Sequence, residues 1–253
     1  MLNVVLLGTG NLARHLFEAF SSAKGAKIIQ VVGRNLNDLS WFSHHCAVSN
    51  DFTEIFTADV YLIAVKDDAI GEVSGFLAEK KGIVAHTSGA MELDVIKAAK
   101  KGVLYPLQTF SKGRTIQFKN IPICVEASDN ESLEVLTQLG RCVSENVQEI
   151  DSVQRKKLHL AAVFVNNFTN YLYSVGESLC LENDVSFELL KPLILETAQK
   201  VQTMSPKKAQ TGPARRNDQE SMQMHLELLT DEHKKTLYTL LSTAIKETYE
   251  KEL

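Results

Sequence analysis

Cysteine is scarce and unpatterned. Cys46, Cys124, Cys142 and Cys180 are the four thiols in 253 residues, and no two stand in C-x-x-C spacing. That excludes a zinc-ribbon or dithiol motif, so no metal site is expected and the thiols read as small core residues in a reducing compartment. Basic excess is lacking too. Lys and Arg number 27 against 31 Asp and Glu, for a net charge of −4, which excludes the basic face of a nucleic-acid binder. No apolar run approaches the roughly 18 residues of a membrane span. The run Met1–Leu7 is too short for a signal-peptide core and has no basic flank before it, so a cytoplasmic location is expected. There is no internal repeat and no low-complexity segment.

What is present is alternation. Asn3–Leu7, Lys27–Val32, Asp59–Val65 and Gly82–His86 are short apolar runs of the kind that make strands buried on both faces. Helical periodicity falls between them, at Asn11–Ala23 with Leu12, Leu16, Ala19 and Phe20 in register, and at Met91–Lys100. Ile121–Glu126 and Asn146–Ile150 add two strands around a helix at Glu131–Ser144. Strands separated by helices predict an α/β domain with a doubly wound, mostly parallel sheet over residues 1–150. After Asp151 the strand signal stops. Gln154–Glu182 reads as one long helix, Ser186 as the cap of another, 204–218 as a loop, and Gln219–Leu229 and Glu232–Lys251 as the closing helices. Residues 151–253 are therefore expected to form an all-α domain.

Gly8-Thr9-Gly10-Asn11-Leu12-Ala13 fits G-x-G-x-x-A between the first strand and the first helix. Gly8 permits a tight turn, Gly10 lets the backbone approach a pyrophosphate, and Ala13 lets the helix lie close to the strand. The free N–H groups at the helix start, with Asn11 and Leu12, would face the phosphates. This is the dinucleotide-binding arrangement of a Rossmann domain. Users of NAD commonly carry an acid at the end of the second strand, for the ribose 2′-hydroxyl. This chain has Gly33-Arg34-Asn35 there. A guanidinium pairs with a 2′-phosphate, so NADP(H) is expected over NAD(H), with Arg34 and Asn35 at that end. Val65 and Lys66 follow a strand at the same sheet edge and are expected near the cofactor.

Candidates for chemistry lie further along. His86-Thr87-Ser88-Gly89 ends the next strand, where His86 would meet the cofactor and Ser88 the substrate; the same residues also suit a plain turn. Gln108, in Tyr105-Pro106-Leu107-Gln108-Thr109-Phe110, would line a pocket or pack over the sheet edge. On the long helix His159 and Asn166 are seven positions apart, two turns, and so share a face. His159 is the candidate proton donor and Asn166 the orienting group; the alternative is that these polar groups bridge helices. Arg215 and Arg216, beside Gly212-Pro213, would clamp a carboxylate or phosphate, or belong to a solvated loop.

Together the glycine turn, DVYLIAVKDDAI, HTSG, YPLQTF, HLAAVFVNN and TGPARRND resemble one bacterial family, of Rossmann-like proteins with a helical C-terminal domain of unknown function. Its members are labelled NADP oxidoreductases of the deazaflavin-dependent type. The chain is more distantly similar to pyrroline-5-carboxylate reductase, prephenate dehydrogenase and the 3-hydroxyisobutyrate and 6-phosphogluconate dehydrogenases. The resemblance implies hydride transfer between NADP(H) and a small acidic carbonyl or imine compound, and a homodimer through the helical domain. The unusually apolar long helix implies the same dimer. The hydroxyacid enzymes use a Lys and an Asn one turn later; here Lys156 is followed by Leu160 at that spacing. The rival reading is a regulator that binds NADP(H) without catalysis.

Overall fold

The computed structural model describes residues 1–249, in two compact units that divide after Asn167. The first is an eight-stranded sheet in the order β3-β2-β1-β4-β5-β6-β7-β8. Its strands are β1 (Leu2–Leu7), β2 (Ala26–Val32), β3 (Ala47–Ser49), β4 (Val60–Ile63), β5 (Ile83–His86), β6 (Lys101–Pro106), β7 (Ile123–Ala127) and β8 (Val147–Glu149). All neighbouring pairs are parallel except β6 with β7. The chain winds outward from β1 to β3 and returns to place β4 on the other side of β1. That reversal opens a crevice at the carboxyl ends of β1 and β4.

The apolar runs are buried on both faces, as their composition requires. One face packs under α1 (Asn11–Ser21), α2 (Leu36–Ser43) and, further along the sheet, α4 (Asn130–Arg141), with Leu16, Phe20, Phe42 and Leu139 in its core. The other is covered by α3 (Ile70–Gly75) and by Ile55, Ala58 and Ile96. Local caps fix the helix starts. Asn35 Oδ1 accepts from the Asn37 N–H, and Asp129 accepts from the Ser132 N–H. Asp151 and Gln154 form a reciprocal capping box at the start of α5 (Ser152–Ala162).

Four sequence expectations change. The strand β3 went unread. The segment Met91–Lys100 holds only a 3-10 turn at Leu93–Val95, because the short crossover from β5 to β6 is taken up by the His86–Met91 turn and its anchors. The long helix is not regular: α5 gives way to a π-helix at Val163–Phe168 before α6 (Thr169–Glu182). The compact unit also extends past Asp151, since α5 is bonded into the sheet through Arg155.

The second unit consists of α6, α7 (Lys191–Thr203), α8 (Pro206–Ala209), α9 (Gln219–Leu228) and α10 (Glu232–Tyr249). Ser186 caps a 3-10 turn at Phe187–Leu190 that leads into α7. The expected continuation of α10 to Lys251 lies outside the described residues. Among the unit's described residues only Ala214 and Tyr249 are buried. No helix among the described residues is long and apolar enough to cross a membrane.

Candidate active site

The crevice at the β1–β4 reversal has a volume of about 740 Å³ and is lined by the glycine turn, the end of β2 and the segment after β4. Gly8 has φ +125°, and a Cβ there would collide with the Ala64 carbonyl, so the tight turn admits only glycine. Gly10 differs: a Cβ there would meet nothing within 4 Å. A side chain there would stand in open space at the crevice rather than against protein. Ala13 is fully buried beneath this turn and touches no ligand space. Asn11, Leu12, Arg34, Asn35, Val65 and Lys66 all line the crevice. Asn35 is also the cap of α2. The Arg34 guanidinium is paired with Glu72, Nη2 to Oε1 3.2 Å.

A second cavity of about 320 Å³ is formed by β6, the loop after it, α5 and the π-helix. Its polar lining includes Tyr105, Gln108, Thr109, His159, Asn166 and Asn167. The Tyr105 hydroxyl lies 3.0 Å from His159 Nδ1. Burial pushes the Tyr105 hydroxyl up to about 12, which keeps it protonated near neutral pH. The hydroxyl donates in this bond when the His159 proton sits on Nε2 and accepts when it sits on Nδ1. Gly89 packs against this pair: a Cβ there would stand 2.5 Å from His159 Nδ1 and 2.8 Å from Tyr105 Cζ. One loop links the two cavities. Gln108 and Thr109 line the second, and Asn11 Nδ2 from the first donates to the carbonyl of Phe110, at 3.3 Å.

His86 is withdrawn from the role expected for it. It is fully buried, accepts from the Ser88 N–H at Nδ1 (3.1 Å) and meets the Glu92 carbonyl at Nε2 (3.3 Å). Burial and the Arg155 charge lower its pKa to about 4, so it stays neutral. Ser88 Oγ likewise serves the turn, accepting from the N–H groups of Ala90 and Met91 at 3.1 Å each, and lies outside the lining of either cavity. Asn166 lines the second cavity with His159 but is exposed, and it lies in the π-helical stretch. Arg215 and Arg216 belong to the second unit. Arg215 donates to the Gln210 carbonyl (2.6 Å) with its guanidinium over the Tyr249 ring, and Arg216 lies 3.9 Å from Asp218.

Arg155 is what the sequence reading missed. Fully buried, it donates to the carbonyls of Met91 (2.8 Å) and Ser88 (3.4 Å), to Glu126 (3.0 Å) and to Ser152 Oγ (2.9 Å). It therefore ties α5, which carries His159, to the turn that carries Gly89. The available signal was its place one helical turn before His159.

Residues 121–245 match the model of a domain of unknown function, DUF2520. A candidate NADP oxidoreductase from Bacteroides fragilis is 38% identical, over 97% of this chain and 98% of that one, with a TM-score of 0.90. The chain belongs to that family. None of the curated proteins matches it. More distant members of the fold include an imine reductase from Myxococcus stipitatus in complex with NADP+. It is 12% identical, with 98% and 93% of the two chains covered and a TM-score of 0.61. A 1-pyrroline-5-carboxylate reductase from Streptococcus pyogenes is 13% identical, with 99% and 97% covered and a TM-score of 0.60. At these identities the likeness is one of fold.

Proposed function

We propose that this family member is an oxidoreductase that binds NADP(H) in the larger crevice and acts on a small carbonyl or imine compound in the smaller cavity. The observation that carries the reading is that one loop touches both: Asn11, in the crevice lining, donates to the carbonyl of Phe110, and Gln108 and Thr109 of the same loop line the smaller cavity beside Tyr105 and His159. The relative from Bacteroides fragilis, whose description names NADP, supports the choice of cofactor. When bound, the nicotinamide supplies or receives the hydride. The chain supplies the rest. The N–H groups at the start of α1 hold the pyrophosphate, and Arg34 holds the 2′-phosphate. Tyr105 holds the His159 ring through Nδ1, and as the imidazolium His159 passes its Nε2 proton to the substrate and is left neutral. Gln108 and Asn166 offer amides to orient the substrate. The cavity lining has no arginine or lysine of its own, so the clamp for an acidic substrate is the role left to Arg215 and Arg216.

A second copy of the chain completes the reading. A helical unit with two buried residues among those described, Ala214 and Tyr249, cannot sustain itself on that core. Leu181, Leu189 and Leu193 are left exposed in it, as suits a surface covered by a partner helix.

Calorimetric titration with NADPH and NADH, on wild type and on Arg34→Ala, is the first test. Tighter binding of NADPH that collapses in the variant is expected. Absence of binding by either nucleotide would refute the reading. Hydride exchange with a panel of small ketones and cyclic imines follows, where His159→Ala is expected to lower turnover without weakening cofactor binding.

A further inference from the structure

We propose that Glu72 makes the adenosine end of the crevice a reader of both dinucleotides: Arg34 takes the 2′-phosphate of NADP(H), and the Glu72 carboxylate accepts the ribose 2′-hydroxyl of NAD(H). The inference rests on the dinucleotide reading of the crevice and concerns how it discriminates.

A free 2′-hydroxyl is a donor and wants an acceptor. The turn after β2 supplies none from the usual position, since Arg34 stands where an acid is customary. A guanidinium has five donors and no acceptor. Asn35, its neighbour, spends its Oδ1 on the Asn37 N–H at 2.9 Å. The acid comes instead from α3. Glu72 lines the same crevice, with Oε1 3.2 Å from Arg34 Nη2. A carboxylate one hydrogen bond from the guanidinium reaches whatever that guanidinium holds. The pair is solvent-exposed, 65% and 67% for the two side chains, so it is weak and easily exchanged for a ligand.

Charge then separates the two cofactors. The ionisable side chains lining the crevice are Arg34 and Lys66 against Asp68 and Glu72, so the lining has no net positive charge. A 2′-phosphate must draw Arg34 away from Glu72 and tolerate that carboxylate nearby. A 2′-hydroxyl leaves the ion pair intact and adds a donor to it. Glu72 thus weakens NADPH and strengthens NADH, and truncating it should move the two affinities in opposite directions.

Calorimetry on the full chain with Glu72→Ala, beside wild type and Arg34→Ala, tests this. NADH is expected to bind about three- to tenfold more weakly, through loss of a charge-assisted hydrogen bond. NADPH is expected to bind about two- to fivefold more tightly. A damaged fold would weaken both. Movement of both affinities in the same direction, or of neither, overturns the role of Glu72, and the cofactor reading still stands if Arg34→Ala abolishes NADPH preference. If wild type binds neither nucleotide, both fall together.

Discussion

Acidification should destabilise the sheet unit through His86, and the size of the effect can be worked out. The ring is fully buried, with both nitrogens engaged by backbone; burial and the Arg155 charge oppose its protonation, and the Glu92 carbonyl and the Asp67 charge favour it more weakly. Its pKa falls from the ordinary 6.5 to about 4. The folded unit then refuses a proton that the unfolded chain accepts, so the stability is whole above about pH 6.5 and drains away as pH falls toward about 4. At about 1.36 kcal/mol per pH unit, the interval amounts to about 3 kcal/mol. Trp41 is the sole tryptophan and packs against Phe17 and Phe42 in this unit, so its fluorescence reports unfolding there. Urea titrations from pH 7.5 to pH 4 should show wild type losing about 3 kcal/mol more than His86→Asn. The variant starts lower, but only the difference in slope bears on the argument. Parallel curves for the two proteins would refute it.

Gly89→Ala drives a methyl between Tyr105 and His159; turnover should fall about 10²-fold with NADPH affinity within twofold, and unchanged turnover in steady-state assays would exclude His159 as donor. Glu126→Ala strands the buried Arg155 charge and should cost about 3–5 kcal/mol in urea unfolding, much of it recovered when Arg155→Met is added. Sedimentation at micromolar concentration should give the mass of two chains, and Leu189→Glu with Leu193→Glu should reduce it to one; a monomeric wild type would remove the proposed partner.

Much of the sheet was readable because each buried strand announces itself over a handful of adjacent residues. The glycine turn was readable for the same reason: Gly8, Gly10 and Ala13 act within one turn of chain. Failures came where the cause lies elsewhere in the sequence. Arg155 sits in a Gln-Arg-Lys-Lys run that looks solvated, and Glu126 of β7 with Ser88 and Met91 of the turn after β5 make it internal. Tyr105 and His159 are 54 positions apart, and no periodicity joins them. His86 illustrates the converse error. Its position at the end of β5 was read correctly, but its ring turns to the protein's own backbone rather than outward.

The π-helix at Val163–Phe168 has an implication for how this site could vary. A π turn is an α-helix carrying one residue too many. Deleting one position from that stretch should yield a more regular and intrinsically more comfortable helix. It would also swing the residues that follow by about 100°, carrying Asn166 and Asn167 away from the side on which His159 lies. Single-residue length change here is therefore a coarse adjustment of what the cavity admits, whereas substitutions at Gln108 or Asn166 are fine ones.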